Sequence, residues 1–134
     1  MGRVIMAALA YWVAVFAPAF ALGVVRTLWL APQIGALAAV AVEVPIVLAI
    51  SWFAARVAVR RWRLGRGEAA AMGACAFALL MLAEWGLALR FGQSSAGWLV
   101  EMMTTPGMLG LAGQVGFAGM PWFFTRRCRE GNLV

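Results

Sequence analysis

Four apolar stretches, at about residues 4–25, 34–59, 69–90 and 105–124, take up most of this chain. A helix needs roughly twenty apolar residues to cross the ~30 Å hydrocarbon core of a bilayer. Inside lipid each backbone N–H and C=O must find a partner within the fold, which favours continuous helices. The expected fold is an all-α integral membrane protein, a single four-helix transmembrane domain over residues 1–134. Composition agrees: 65% of residues are hydrophobic and 12% charged, with a mean hydropathy of +0.90. Soluble domains are only about 45–50% apolar.

The positive charges orient these stretches. Five of the eleven arginines (Arg56, Arg60, Arg61, Arg63 and Arg66) fall from the last turn of the second stretch to the start of the third. Arg126, Arg127 and Arg129 follow the fourth, and Arg3 precedes the first. Loops rich in arginine stay on the cytoplasmic side during insertion. The expected topology is therefore N-in/C-in, with two antiparallel hairpins, both termini in the cytoplasm and a multi-pass location in the cell inner membrane. Only Arg26 and Arg90 fall at the outer surface. A pI near 11.4 would point to nucleic acid in a soluble protein. Here the arginines cluster at span ends, where anionic headgroups lie, so membrane lipids are the expected partners and nucleic acid is not.

The chain contains no His, Asp or Lys. That removes His-ligated haem or zinc, a Ser-His-Asp triad and a lysine Schiff base. Cys75 lies within the third stretch and Cys128 in the tail, and two cysteines without His or Asp make a poor metal site. No metal, cofactor or catalytic residue is expected. Glu43 and Glu84 have the chemistry of an acid/base pair. However, no phosphate-binding motif and no nucleophile beside a base accompanies them.

Along the first span, Ala19-Phe20-Ala21 fits small-x-small signal cleavage, but the apolar run continues to Val25, so an uncleaved span is expected. Pro18 and Pro45 free the carbonyls of Ala14 and Ala41. The residues from Arg26 to Gln33 read as a short outer loop with Trp29 at headgroup depth. The second outer loop is longer. Ser95 is suited to cap a short interfacial helix there, with Trp98, Leu99, Met102 and Met103 toward lipid and Glu101 toward water. Thr104-Thr105-Pro106 opens the last span. Gly107, Gly110, Gly113, Gly116 and Gly119 then wind around it as a band that admits close approach of a neighbouring helix.

Counting inward at about 1.5 Å per residue, Glu43, Glu84 and Gln114 all fall roughly 9–14 Å below the outer boundary. A charged carboxylate deep in the bilayer costs about 2.5–3.5 kcal/mol on insertion scales, so each should face the interior and pair or keep its proton. The expected arrangement is an intramembrane polar cluster of Glu43, Glu84 and Gln114, with Arg26 and Arg90 as counter-ions. Two functions follow. The first is a non-enzymatic accessory, assembly or structural subunit of a larger membrane complex, held to other transmembrane helices in a hetero-complex or homo-oligomer. The second is a small oligomeric transporter coupled to protons or cations through Glu43 and Glu84.

Overall fold

A computed structural model describes the backbone of residues 2–131 and the side chains of residues 2–125. The side chains of Arg126, Arg127, Cys128 and Arg129 lie outside the described residues. The chain is all-helical among the described residues. Helix α1 spans Gly2–Val25, a π-helical turn follows at Arg26–Leu30, and α2 covers Ala31–Ile34. Then come α3 (Ala36–Trp62), α4 (Arg66–Arg90), α5 (Ser95–Met102) and α6 (Thr105–Gly131). Three continuous helical stretches are long and apolar enough to cross a membrane: Gly2–Ile34, Ala36–Trp62 and Arg66–Arg90.

The expected loop after Val25 is helical instead. Pro32 has no N–H to give, and the wider π-turn ahead of it closes by donating the Ala31 N–H to the Arg26 carbonyl. The chain reverses only at Gly35, where φ is +89°, in the left-handed region that a side chain disfavours. Trp29 is 62% exposed on this extension.

Packing follows the spacing of small residues. Val4, Ala7, Ala8, Tyr11 and Val15 form a buried stripe at helical period on α1. They meet Ala55, Ala58 and Val59 of α3, Ala69, Met72 and Ala76 of α4, and Phe117 and Phe124 of α6. Helix α1 packs on α3 and α4, and α6 packs on the same two helices. A Cβ at Gly73 would collide with the Ala118 carbonyl, so α4 and α6 touch at backbone distance there. Of the glycine band, Gly107 abuts the Glu101 carbonyl, Gly113 abuts Val44 and Gly116 abuts Leu48, whereas Gly110 and Gly119 face open space.

Tyr11 ties α1 to α6. Its hydroxyl donates to the Phe117 carbonyl at 2.6 Å, and its ring stacks on that of Phe117 at 4.5 Å. The Phe117 carbonyl lacks a helical donor because the residue four positions on is Pro121. A side chain from another helix therefore fills a vacancy that proline creates, as apolar surroundings require.

The turn at residues 63–65 is tight. Arg63 adopts a left-handed conformation with φ 50° and closes α3, Leu64 plugs the core end, and Glu68 reaches back to the Gly65 N–H. Arg3 pairs with Glu68, Arg56 lies over the Trp52 ring, and Arg66 lies over Trp122 of α6 at 4.7 Å. In the other connection, Ser94 caps α5 by accepting the Gly97 N–H, in place of the expected Ser95. Ser95 is engaged elsewhere: its hydroxyl accepts from the Trp85 indole at 2.9 Å. Glu101 is exposed and accepts from Gln93 at 2.6 Å.

Candidate functional site

The tight core occupies the arginine-rich end of the bundle, where the helices carry Ala and Gly. Beyond it, between α1, α3, α4 and α6, lies a partly open cavity of about 110 Å³. Its charged and amide-bearing lining residues are Arg26, Glu43, Glu84 and Gln114. Trp12, Phe16 and Phe117 supply an aromatic wall.

Each polar group reaches the cavity for a local reason. Arg26 begins the π-turn at the end of α1, and its guanidinium folds back past Gly23, where an added Cβ would sit 4.0 Å from Nη2. That brings Nη1 to 2.6 Å from Glu43 Oε2 on α3. The distance is that of a charge-assisted hydrogen bond. The Glu43 side chain is 14% exposed and that of Arg26 34%, so the pair is partly shielded by the surrounding helices. On the opposite side, Gln114 Nε2 of α6 donates to Glu84 Oε1 of α4 at 2.7 Å. Arg26, Glu43 and Glu84 line the same cavity. Arg90 stands exposed as the last residue of α4 and does not line the cavity.

Two side-chain polar atoms, Trp12 Nε1, a donor, and Gln114 Oε1, an acceptor, are closed off by their neighbours and have no hydrogen-bond partner among the described residues. Both residues line the cavity. A buried, unpaired polar atom costs about 1–3 kcal/mol, so the site is incomplete as a hydrogen-bonding system. The aromatic wall was not singled out from sequence. Its signal was the i, i+4 spacing of Trp12 and Phe16, whose rings stack at 5.1 Å.

Chemically, the arrangement can hold a polar or charged group against two carboxylates and one guanidinium. No group of three or more Cys, Asp or Glu side chains that could hold a metal occurs among the described residues. Cys75 is exposed. No protein family, characterised protein or solved structure matches this chain.

Proposed function

We propose that the chain is a multi-pass inner-membrane protein with four spans, formed by α1, α3, α4 and α6. In this reading they are threaded as two antiparallel hairpins with both termini in the cytoplasm. Its role is that of a non-enzymatic accessory, assembly or structural subunit of a larger membrane complex, with lipids and other transmembrane helices as its partners. The hairpin reading is supported by the order of paired positions. Tyr11 lies beside Ser51 and Arg26 beside Glu43, so α1 and α3 run oppositely. Gly73 faces Ala118 and Glu84 faces Gln114, so α4 and α6 do too. Helix α6 is 27 residues long, or about 40 Å, which is enough to serve as the fourth span.

The observation that carries the subunit reading is the way the interior is locked. Arg26–Glu43 and Gln114–Glu84 join different helices, and α6 is held at backbone distance by Gly73 and against side chains at Gly113 and Gly116. Such a unit acts as a rigid body and leaves an apolar exterior for lipid or a partner. Purification from native membranes in a mild detergent tests this. A stoichiometric membrane partner is expected, and recovery of the chain alone would contradict the reading.

The cavity favours a second reading, transport coupled to protons or cations through Glu43 and Glu84. It requires that Glu43→Gln or Glu84→Gln abolish flux in proteoliposomes; unchanged flux in both variants removes it.

A further inference from the structure

We infer that the outward face of α3 is a binding site for one glycerophospholipid of net negative charge, with its phosphate taken by Arg56 and Arg60 and an acyl chain laid along the apolar row beneath them. The inference rests on the membrane reading proposed above, and on neither the subunit nor the transport role.

The row comes first. Val42, Ile46, Ala49 and Phe53 are all exposed, at spacings of four, three and four, so they share one face of α3. The next two steps of the same pattern are Arg56 and Arg60. From Val42 to Arg56 the row climbs about 21 Å, more than one leaflet's half of the ~30 Å hydrocarbon. Helix α3 is 27 residues long, or about 40 Å, so when centred it projects roughly 5 Å from the hydrocarbon at each end. Arg56 lies six residues before Trp62, about 9 Å from the helix end. It therefore starts just inside the hydrocarbon edge, where an arginine reaches outward to phosphate depth. Arg60 stands one turn further out. Apolar row, then fixed cation, matches acyl chain, then phosphate.

The second observation is charge without a counter-ion. Arginine keeps its proton throughout the physiological range, and like charges at i, i+4 repel. The ion pairs among the described residues are Arg3–Glu68 and Arg26–Glu43, so neither Arg56 nor Arg60 has a carboxylate partner there. Arg56 is also oriented. Its guanidinium sits over the Trp52 ring at 5.6 Å, and that ring is held by buried Phe124, edge to face at 5.4 Å. A guanidinium seated on a ring face keeps its N–H groups at the rim, as a fork that fits two phosphate oxygens. Free inorganic phosphate would engage the arginines and leave the apolar row unused. A zwitterionic lipid brings its own cation to a site that already holds two. A lipid of net negative charge uses both parts.

The test takes the full-length protein in nanodiscs of equimolar phosphatidylglycerol and phosphatidylcholine with matched acyl chains, and reads the lipid retained on the protein by native mass spectrometry. An arginine at an anionic headgroup is worth about fivefold in association, the equivalent of ~1 kcal/mol. Phosphatidylglycerol should therefore be retained over phosphatidylcholine by at least about fivefold, and Arg56→Gln and Arg60→Gln should each lower the ratio by about that factor. Arg60 is exposed, so its variant keeps the test decisive even where Arg56→Gln does not fold. Arg61→Gln removes the same charge about 100° around the helix from Arg60, where the Arg61 guanidinium lies over Trp62, and should retain the wild-type ratio. Excess inorganic phosphate should leave the retained lipid in place. The inference is overturned by parity of the two lipids, by a loss in Arg61→Gln equal to that in Arg60→Gln, which would mark diffuse attraction to the surface, or by displacement with inorganic phosphate, which would mark a free-anion site. A chain that cannot enter the nanodisc removes the membrane reading and this inference together, whereas entry with parity removes this inference alone.

Discussion

The bond from Tyr11 to the Phe117 carbonyl yields the sharpest quantitative expectation, because a second residue explains why it is needed. Tyr11→Phe retains the ring that stacks on Phe117 at 4.5 Å and deletes only the hydroxyl that donates at 2.6 Å. The carbonyl left behind is buried and has no helical donor, since position 121 is proline. Stranding a buried acceptor costs about 1–3 kcal/mol in water-soluble proteins, and interhelical hydrogen bonds in membranes average about 0.6 with a maximum near 1.7 kcal/mol. We expect a loss of about 1–2 kcal/mol. Pro121→Ala supplies a backbone N–H in register with Phe117. In that background Tyr11→Phe should cost no more than about 0.5 kcal/mol, giving a coupling of roughly 1 kcal/mol. The cycle cancels the independent effect of truncating the buried proline. Reversible unfolding by SDS titration or steric trapping in bicelles, followed by far-UV circular dichroism, measures all four corners. If Tyr11→Phe costs the same in both backgrounds, the hydroxyl is not completing the proline gap and the reasoning fails.

Three further expectations follow from the same geometry. Arg26→Gln strands Glu43, whose side chain is 14% exposed, and should destabilise by about 1–3 kcal/mol. That is below the ~3–5 of a fully buried pair because Arg26 is itself 34% exposed. Adding Glu43→Gln should recover part of this loss in the same unfolding assay, and a larger loss would contradict the pairing. Gly73→Ala pushes a methyl into the Ala118 carbonyl and should cost about 1–3 kcal/mol, whereas Gly119→Ala, which meets nothing within 4 Å, should stay within about 0.5 kcal/mol of wild type. Arg63→Gly relieves a left-handed φ of 50° and should stabilise by about 0.5–1 kcal/mol, read as a raised unfolding midpoint.

The long helices were legible because their signal is additive: twenty or more apolar residues in a row outweigh a proline such as Pro18 or Pro45, and both sit inside unbroken helices. The level of Glu43, Glu84 and Gln114 could be counted from span ends, and all three line one cavity. Which group meets which was not countable. Arg26 reaches Glu43 because a π-turn prolongs α1, and Arg26, Thr27, Pro32 and Gln33 carry the composition of a loop while forming helix. Tyr11 is the chain's one tyrosine, but its partner is a backbone atom whose availability depends on Pro121, 110 residues away in sequence. The stacking of Arg66 on Trp122 likewise needs α4 and α6 to be adjacent. Ser94 and Ser95 are equally good caps by type. The difference is that Ser95 lies within reach of the Trp85 indole.

Everything proposed for the interior depends on how the chain crosses the lipid, and site-directed labelling tests that directly. In a Cys75→Ala, Cys128→Ser background, Gln33→Cys and Arg63→Cys each place one thiol at an exposed position beside the Gly35 reversal or in the arginine-rich turn. Intact cells treated with a membrane-impermeant maleimide should label the position-33 variant and spare the position-63 variant until the membrane is permeabilised. Labelling of position 63 in intact cells, with position 33 protected, would contradict the threading and with it the outward-lying polar layer.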